Sequence, residues 1–385
     1  MSLTATPFRL YALLVVLLAA WLPVAQAVDL PTPPQVAARA WLLMDTQSGQ
    51  IVQGLAVDER VEPASLTKLM TAYVVFAAIK EKRIALTQTV PVSERAWKAS
   101  GSRMFIEPRK PVTVEELIHG MIIQSGNDAC VALAELVAGS EELFAQLMNK
   151  EAQRLGMKNT SFMNSTGLPD PKHFTTARDL ATLAATLIRD FPEQYGKYYS
   201  MKEYRYNNIT QQNRNRLLWL DPNVDGMKTG FTDNAGYCLI ASAKRGSRRL
   251  LSVVLGTASD AMRAQESQKI LNFGFQFYDS ARLYEKGQTV STIKVWKGSL
   301  SELNAGSLKG DITISLPRGS ADKIKAEFVA MEPIVAPVSA GQRVGIVKVT
   351  LEGKPIAEYP VVALENIAVA GIFGRTWDSV RLWFK

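Results

Sequence analysis

Helical periodicity through the middle of the chain, strand-like runs on either side of it, and a second β-rich texture beyond residue 286 predict an α+β unit followed by a small all-β domain. The 385 residues are 47% hydrophobic and 21% charged, enough apolar material for packed cores and too much for a disordered chain. At roughly 100 to 200 residues per domain, the length fits two domains.

Residues 40–53 read as two short strands around the Ser48-Gly49 turn, a hairpin. After Pro63, the residues Leu66, Leu69, Met70, Tyr73, Val74, Ala77 and Ala78 keep helical period for several turns, the best-defined helix of the chain. Helical patterns follow over 114–138, 141–155 and 176–189, with Gly- and Pro-containing loops such as 166–171 between them. Residues 236–242 and 249–257 turn β-like, and a helix returns over about 261–278. Past about 286, short β runs at 292–295, 311–316 and 344–351 alternate with Gly and Pro. Residues 28–285 therefore form the first unit, an α/β sandwich, and 286–365 a small β-sandwich-like domain.

The first 27 residues carry one charge, Arg9, then an apolar run from Tyr11 to Val24 and the small-residue pattern Ala25-Gln26-Ala27. That is the pattern of a secretory signal peptide cleaved after Ala27; uncleaved, the same run would tether the chain as an anchor. Cleavage lowers the formal charge from +8 by one, to +7. A basic chain suits an anionic partner; export excludes nucleic acid and leaves the membrane surface or an acidic polymer. At the other end, Val369, Ile372, Phe373, Trp377, Val380 and Phe384 recur at steps of three or four between charged residues, an amphipathic helix over 366–385 entered through Glu365-Asn366. Such a helix packs on its own domain or lies in a membrane interface. The aromatic load and the surplus of Arg and Lys favour the interface, and the apolar run is too short to span.

Only His119, His173, Cys130 and Cys238 are available as soft ligands, so no zinc peptidase or iron–sulfur spacing can be drawn, and no metal or cofactor is called for. Export permits a Cys130–Cys238 disulfide; two buried free thiols are the alternative.

Ser65-Leu66-Thr67-Lys68 puts a hydroxyl and an amine three residues apart at the start of the best-defined helix, on one face. Taken alone, Ser65 reads first as a plain N-cap, and S-x-x-K recurs at Ser291 and Ser320 inside β runs. Two further motifs change the odds. Ser125-Gly126-Asn127 is the one S-x-N, in a polar break of a helical stretch, and Lys228-Thr229-Gly230 the one K-T-G, ahead of the β run at Tyr237. Singly each is turn material; the ordered set on a helix start, an interhelical loop and a strand is specific.

With that set the sequence resembles the penicillin-recognising serine enzymes. It is most similar to the low-molecular-mass penicillin-binding proteins of the penicillin-binding protein 5/6 type, serine D-Ala-D-Ala carboxypeptidases of peptidase family S11. The likeness covers nearly the whole chain, and the stretch from Gln211-Gln212-Asn213-Arg214 to Gly236 shares it. It implies the penicillin-binding/β-lactamase-like transpeptidase fold, and an enzyme at the periplasmic face of the inner membrane that trims peptidoglycan pentapeptide stems and is acylated by β-lactams.

A serine needs a base to act as nucleophile, and neither histidine carries a motif. Lys68 can serve if burial or a neighbouring cation lowers its pKa, and Lys228 is the expected cation. The resemblance makes Ser125 the proton relay, held by Lys228, and Asn127 the amide that orients substrate and lysine. Thr229 fits the terminal carboxylate and Gly230 a close backbone approach on an edge strand. The resemblance assigns the oxyanion to the backbone amides of Ser65 and Phe231, the latter where some relatives carry histidine. Arg263 stands where the family's carboxylate-recognising arginine falls; otherwise it is a solvated residue at a helix start. A class A β-lactamase would need a glutamate in the loop 164–179, which holds only Asp170 and Asp179. A DD-endopeptidase or weak β-lactamase and, outside enzymes, a wall-binding scaffold on a dead enzyme fold are the competing readings.

Overall fold

The structure, a computed structural model, describes residues 31–371. Strands β1 (Ala40–Asp45) and β2 (Ile51–Leu55) form the expected hairpin, with Gly49 at φ +71°, a region open to glycine without strain. With β3 (Val224–Thr232), β4 (Gly236–Arg245) and β5 (Arg248–Thr257) they make an antiparallel sheet in the order β2-β1-β5-β4-β3. All six residues of β1 are buried because both faces of the sheet are covered. Leu42 and Met44 join one core with Leu66, Leu69 and Phe76, while Leu43 between them joins Leu271 and Phe273 on the opposite face, the period-two alternation of a strand.

Helix α1 (Lys68–Lys80) is buried around most of its circumference, so its apolar residues form a continuous run rather than a stripe. The helix expected over 114–138 is divided. After α2 (Val114–His119) the chain widens into a π-turn at Gly120–Gln124, and Ser125, at φ +66°, ends it before α3 (Asn127–Ala138). A left-handed residue cannot continue the i to i−4 ladder, which is why the polar break becomes a corner. Helices α4 (Glu141–Arg154) and α5 (Ala177–Asp190) start from side-chain caps at Ser140 and Thr176. Helix α6 (Asp260–Phe277) covers the outer face of the sheet.

The second unit has a six-stranded sheet in the order β10 (Ile324–Ala330), β12 (Arg343–Leu351), β13 (Lys354–Ala363), β8 (Glu302–Gly306), β7 (Thr289–Trp296), β11 (Ile334–Val335). Beside it lies the pair β6 (Tyr278–Tyr284) and β9 (Ile312–Pro317), and Val295, Ile314, Leu316, Val347 and Val361 share its core. The boundary expected at 285 assigns β6 to the first unit; its pairing with β9 puts it in the second, because the ladder rather than the composition decides which sheet a strand joins.

The helix expected over 366–385 does not begin at Asn366. Residues 366–371 run extended, Ile367 bridging Val338 and Val369 bridging Gly298, and Ile367 fills the β core. The remainder of that helix and the expected signal peptide lie outside the described residues. Cys130 and Cys238 are both free and buried. The two units meet at Asp45 of β1, which is 0% exposed and accepts the hydroxyl of Ser280 at 2.5 Å, that of Ser315 at 2.7 Å and Arg248 Nε at 3.1 Å.

Candidate active site

Ser65 lies on a short 3-10 turn, Ala64–Thr67, immediately before α1. Ala64 holds φ +48°, an uncommon conformation for a residue with a side chain, and strain of this kind concentrates at functional sites. Lys68 follows as the first residue of α1 and is 1% exposed. Its ammonium donates to Ser65 Oγ at 3.0 Å, Asn127 Oδ1 at 2.8 Å and the carbonyl of Thr166 at 2.6 Å, which uses all three of its donors. Burial lowers the Lys68 ammonium to about 8, with the Arg214 charge adding to the drop and Asp128 and Glu141 opposing it. Lys228 was expected to supply the depressing cation; it and Lys68 repel each other, and Arg214 adds to the drop at Lys68. Lys228 is itself held well below its ordinary range by burial, Lys68 and Arg214.

The corner after the π-turn delivers the second motif. Asn127 opens α3 with its side chain shared between Lys68 and the Ser100 carbonyl, 2.7 Å away, and its amide on the Ser102 carbonyl at 2.6 Å. The Ser125 hydroxyl is buried at the cavity wall and has no hydrogen-bond partner among the described residues. The expected Lys228–Ser125 hydrogen bond is not made: the buried Lys228 ammonium donates instead to the adjacent carbonyl of Thr229, at 3.0 Å.

Strand β3 is the sheet edge and carries the third motif. A Cβ on Gly230 would stand 3.2 Å from both the Pro63 carbonyl and Leu66 Cγ, so the absent side chain lets the strand lie against the Ser65 turn. Phe231 is half exposed, its ring 4.3 Å from that of Tyr237. Arg263, at the start of α6, is 5% exposed rather than solvated. It reaches the Gly230 carbonyl at 3.2 Å, pairs with Asp260 and packs over Tyr237.

Ser65, Ser125, Asn127, Thr229, Phe231 and Arg263 line one cavity of about 910 Å3. Lys68 and Lys228 sit behind its wall, 1% and 3% exposed. Of the histidines, His119 stacks on Tyr204, and the Nε2 of His173 meets the Thr67 hydroxyl at 3.0 Å, with burial lowering the His173 imidazole to about 4. Thr166, which accepts from Lys68 through a backbone carbonyl, was missed as a functional position. Its only signal was membership of a Gly- and Pro-containing loop. Arg214 was noted only as part of the stretch that shares the likeness. A hydroxyl held by a buried amine of lowered pKa, beside an edge strand and in a cavity that Arg214 and Arg263 help to line, can form an ester with the carbonyl of a bound carboxyl-terminal peptide.

Comparison with known proteins gives two family matches, D-alanyl-D-alanine carboxypeptidase (peptidase S11) over residues 27–259 and penicillin-binding protein 5, C-terminal domain, over 278–369. The D-alanyl-D-alanine carboxypeptidase DacC of Escherichia coli is 46% identical over 359 residues, covering 91% of this chain and 89% of its own. The solved structure of penicillin binding protein 5 from Haemophilus influenzae superposes with a TM-score of 0.81 at 41% identity, covering 88% of this chain and 99% of that one. Penicillin-binding protein D2 from Listeria monocytogenes, solved in its ampicillin-bound form, is 29% identical with a TM-score of 0.59, over 64% of this chain and 100% of its own.

Proposed function

The chain belongs to the peptidase S11 family and is a D-alanyl-D-alanine carboxypeptidase, and from that premise we propose that Ser65 is its nucleophile and Lys68 its general base. The observation that carries this assignment is the 3.0 Å contact between the two side chains, with Lys68 lowered to about 8. In its neutral form Lys68 takes the hydroxyl proton as Ser65 Oγ attacks the carbonyl of the penultimate D-alanine of a peptidoglycan stem. The backbone amides of Ser65 and Phe231 receive the oxyanion. The proton passes through the Ser125 hydroxyl to the departing amine of the terminal D-alanine. Asn127 fixes the amine of Lys68 and orients the peptide. Thr229 and Arg263 bind the terminal carboxylate, and the peptide lies along the edge strand, which Gly230 lets sit close against the Ser65 turn. Water then attacks the ester on Ser65, giving up a proton to Lys68; the acyl C–Oγ bond breaks, Lys68 returns that proton to Ser65 Oγ 3.0 Å away, and the shortened peptide leaves as its carboxylic acid. The Lys68 contact in the loop is the Thr166 carbonyl, which cannot take up a proton, and the loop brings no glutamate. That favours slow release of a penicilloyl group over β-lactamase turnover.

We also propose that the enzyme is exported by its first 27 residues and held at the periplasmic face of the inner membrane by residues 372–385. The charge and apolar patterns of the two ends support this. No helix among the described residues is long and apolar enough to cross a membrane. The test is incubation of the mature protein with a labelled penicillin and, separately, with a peptide ending in D-Ala-D-Ala. A long-lived adduct on Ser65 and release of D-alanine, both lost in Ser65→Ala, are the expected results. An adduct on another residue, or D-alanine release that survives in Ser65→Ala, would overturn the assignment.

A further inference from the structure

The loop 164–168 reads Asn-Ser-Thr-Gly-Leu and holds no titratable side chain, yet its Thr166 carbonyl is one of the acceptors of the Lys68 ammonium, at 2.6 Å. One side chain organises this loop. Asn164 Oδ1 accepts three donors, the amide of Thr166 at 3.1 Å, its hydroxyl at 3.0 Å and the amide of Gly167 at 2.7 Å, and Asn164 Nδ2 donates to the Leu168 carbonyl at 3.0 Å. The Thr166 hydroxyl in turn accepts the Leu168 amide at 3.2 Å.

The N–H and C=O of a trans peptide point in opposite directions, and the Thr166–Gly167 bond is trans. With the Gly167 amide drawn to Asn164, the Thr166 carbonyl of the same peptide unit is turned the other way, toward Lys68. Gly167, at φ +86°, brings no Cβ to resist rotation of that unit, so a hydrogen bond has to fix it. Glu141 and Thr71 hold the preceding Ser165, through its amide, hydroxyl and carbonyl, and not this peptide.

We infer that Asn164 is a positioning residue for the general base: by holding the Gly167 amide it aims the Thr166 carbonyl at Lys68, and so sets the pH at which acylation begins. The inference rests on the proposed role of Lys68 as the base. A carbonyl oxygen against the ammonium favours its charged form and works against the burial that lowers it. The groups whose charge acts on Lys68 are Asp128 and Cys130 of α3, Glu141 of α4, Arg214 in the run before β3 and Lys228 on β3, with His173 across Thr67. Asn164 hydrogen-bonds to none of them among the described residues, so its influence on the base runs through the carbonyl.

The test is the rate of acylation by a labelled penicillin between pH 5.5 and 9.5, in the wild type, Asn164→Ala and Asn164→Asp, with circular dichroism to check folding. Asn164→Ala releases the peptide unit. Its plateau rate should fall roughly tenfold, and the midpoint of its pH profile should move down by about one pH unit, because the ammonium loses an acceptor. Asn164→Asp keeps the oxygen that holds the turn and adds a negative charge near Lys68. It should keep a plateau within about threefold of the wild type and move the midpoint up by about half a unit. Slower acylation with an unmoved midpoint in both variants, or midpoints that move in the same direction, would overturn the positioning role and leave Lys68 as the base. Should Asn164→Ala fail to fold, an unmoved midpoint in Asn164→Asp overturns it alone. A wild-type profile without a rise would overturn the base reading, and the role of Asn164 with it.

Discussion

Glu141 accepts both the amide and the hydroxyl of Ser165, at 3.0 and 2.6 Å, while its other oxygen meets Arg95 at 2.9 Å. The Thr71 hydroxyl donates to the Ser165 carbonyl at 2.6 Å, and the next carbonyl, that of Thr166, receives Lys68. Helix α4 thus positions an acceptor of the general base through a loop residue. Glu141→Ala leaves two buried donors of Ser165 unsatisfied and should cost about 3 kcal/mol in a denaturation experiment. Misplacement of the Lys68 acceptor should slow acylation by roughly ten- to a hundredfold. Glu141→Gln keeps an acceptor and should restore most of both.

The pH dependence of acylation follows from Lys68. A base acts when neutral, and with its ammonium at about 8 the neutral fraction falls about tenfold for each pH unit below that value. Penicillin acylation should therefore rise with pH and level off above about 8. Lys68→Arg, permanently charged, should stay folded and lose acylation at every pH. A flat profile between pH 6 and 9 would remove Lys68 from the base role.

Gly167 holds φ +86°, and a Cβ there would stand 1.8 Å from the Ala64 carbonyl and 2.9 Å from Thr67 Oγ1, on either side of Ser65 in the turn. Backbone strain and overlap act together, so Gly167→Ala should lower stability by about 3 kcal/mol or more. It should also abolish acylation at temperatures where circular dichroism still reports a folded chain, because the displaced element is the nucleophile turn.

Asp45 ties the two units and touches none of the residues lining the catalytic cavity. Burial pushes its carboxyl up, but the Ser280 and Ser315 hydroxyls, the Gln47 amide and the Arg248 charge outweigh that and leave it below the ordinary 3.8. Its contribution is full above pH 3.8 and is lost as the pH falls through the folded value. Asp45→Ala should cost about 3 kcal/mol at neutral pH, with a smaller loss near pH 3 and a nearly unchanged acylation rate.

Truncation should separate the proposed anchor from the β domain. Because Ile367 is buried and bridges Val338, a chain ending at Gly371 should fold and appear in the soluble fraction, whereas one ending at Glu365 should also lose stability. Membrane retention of the chain ending at Gly371 would rule out the anchor.

Local pattern was enough for α1, the hairpin, α5 and the β runs, because periods of two and 3.6 and side-chain caps act within a few residues. It also marked Ser65, Lys68, Ser125, Asn127 and the Lys228-Thr229-Gly230 strand as candidates, since each motif is a short string of special residue types. The remaining features depend on contacts between distant parts of the chain. Only packing put Lys68 under the Thr166 carbonyl, brought the Arg214 charge to bear on it, turned Lys228 toward Thr229 and away from Ser125, and buried Arg263. The same holds for β6, drawn into the second unit by β9, and for Ile367, drawn into a core where a helix start was expected. A residue's type and spacing determine what it could do chemically, whereas its burial, partners and pKa depend on which remote surfaces close over it, and those are settled by the tertiary fold.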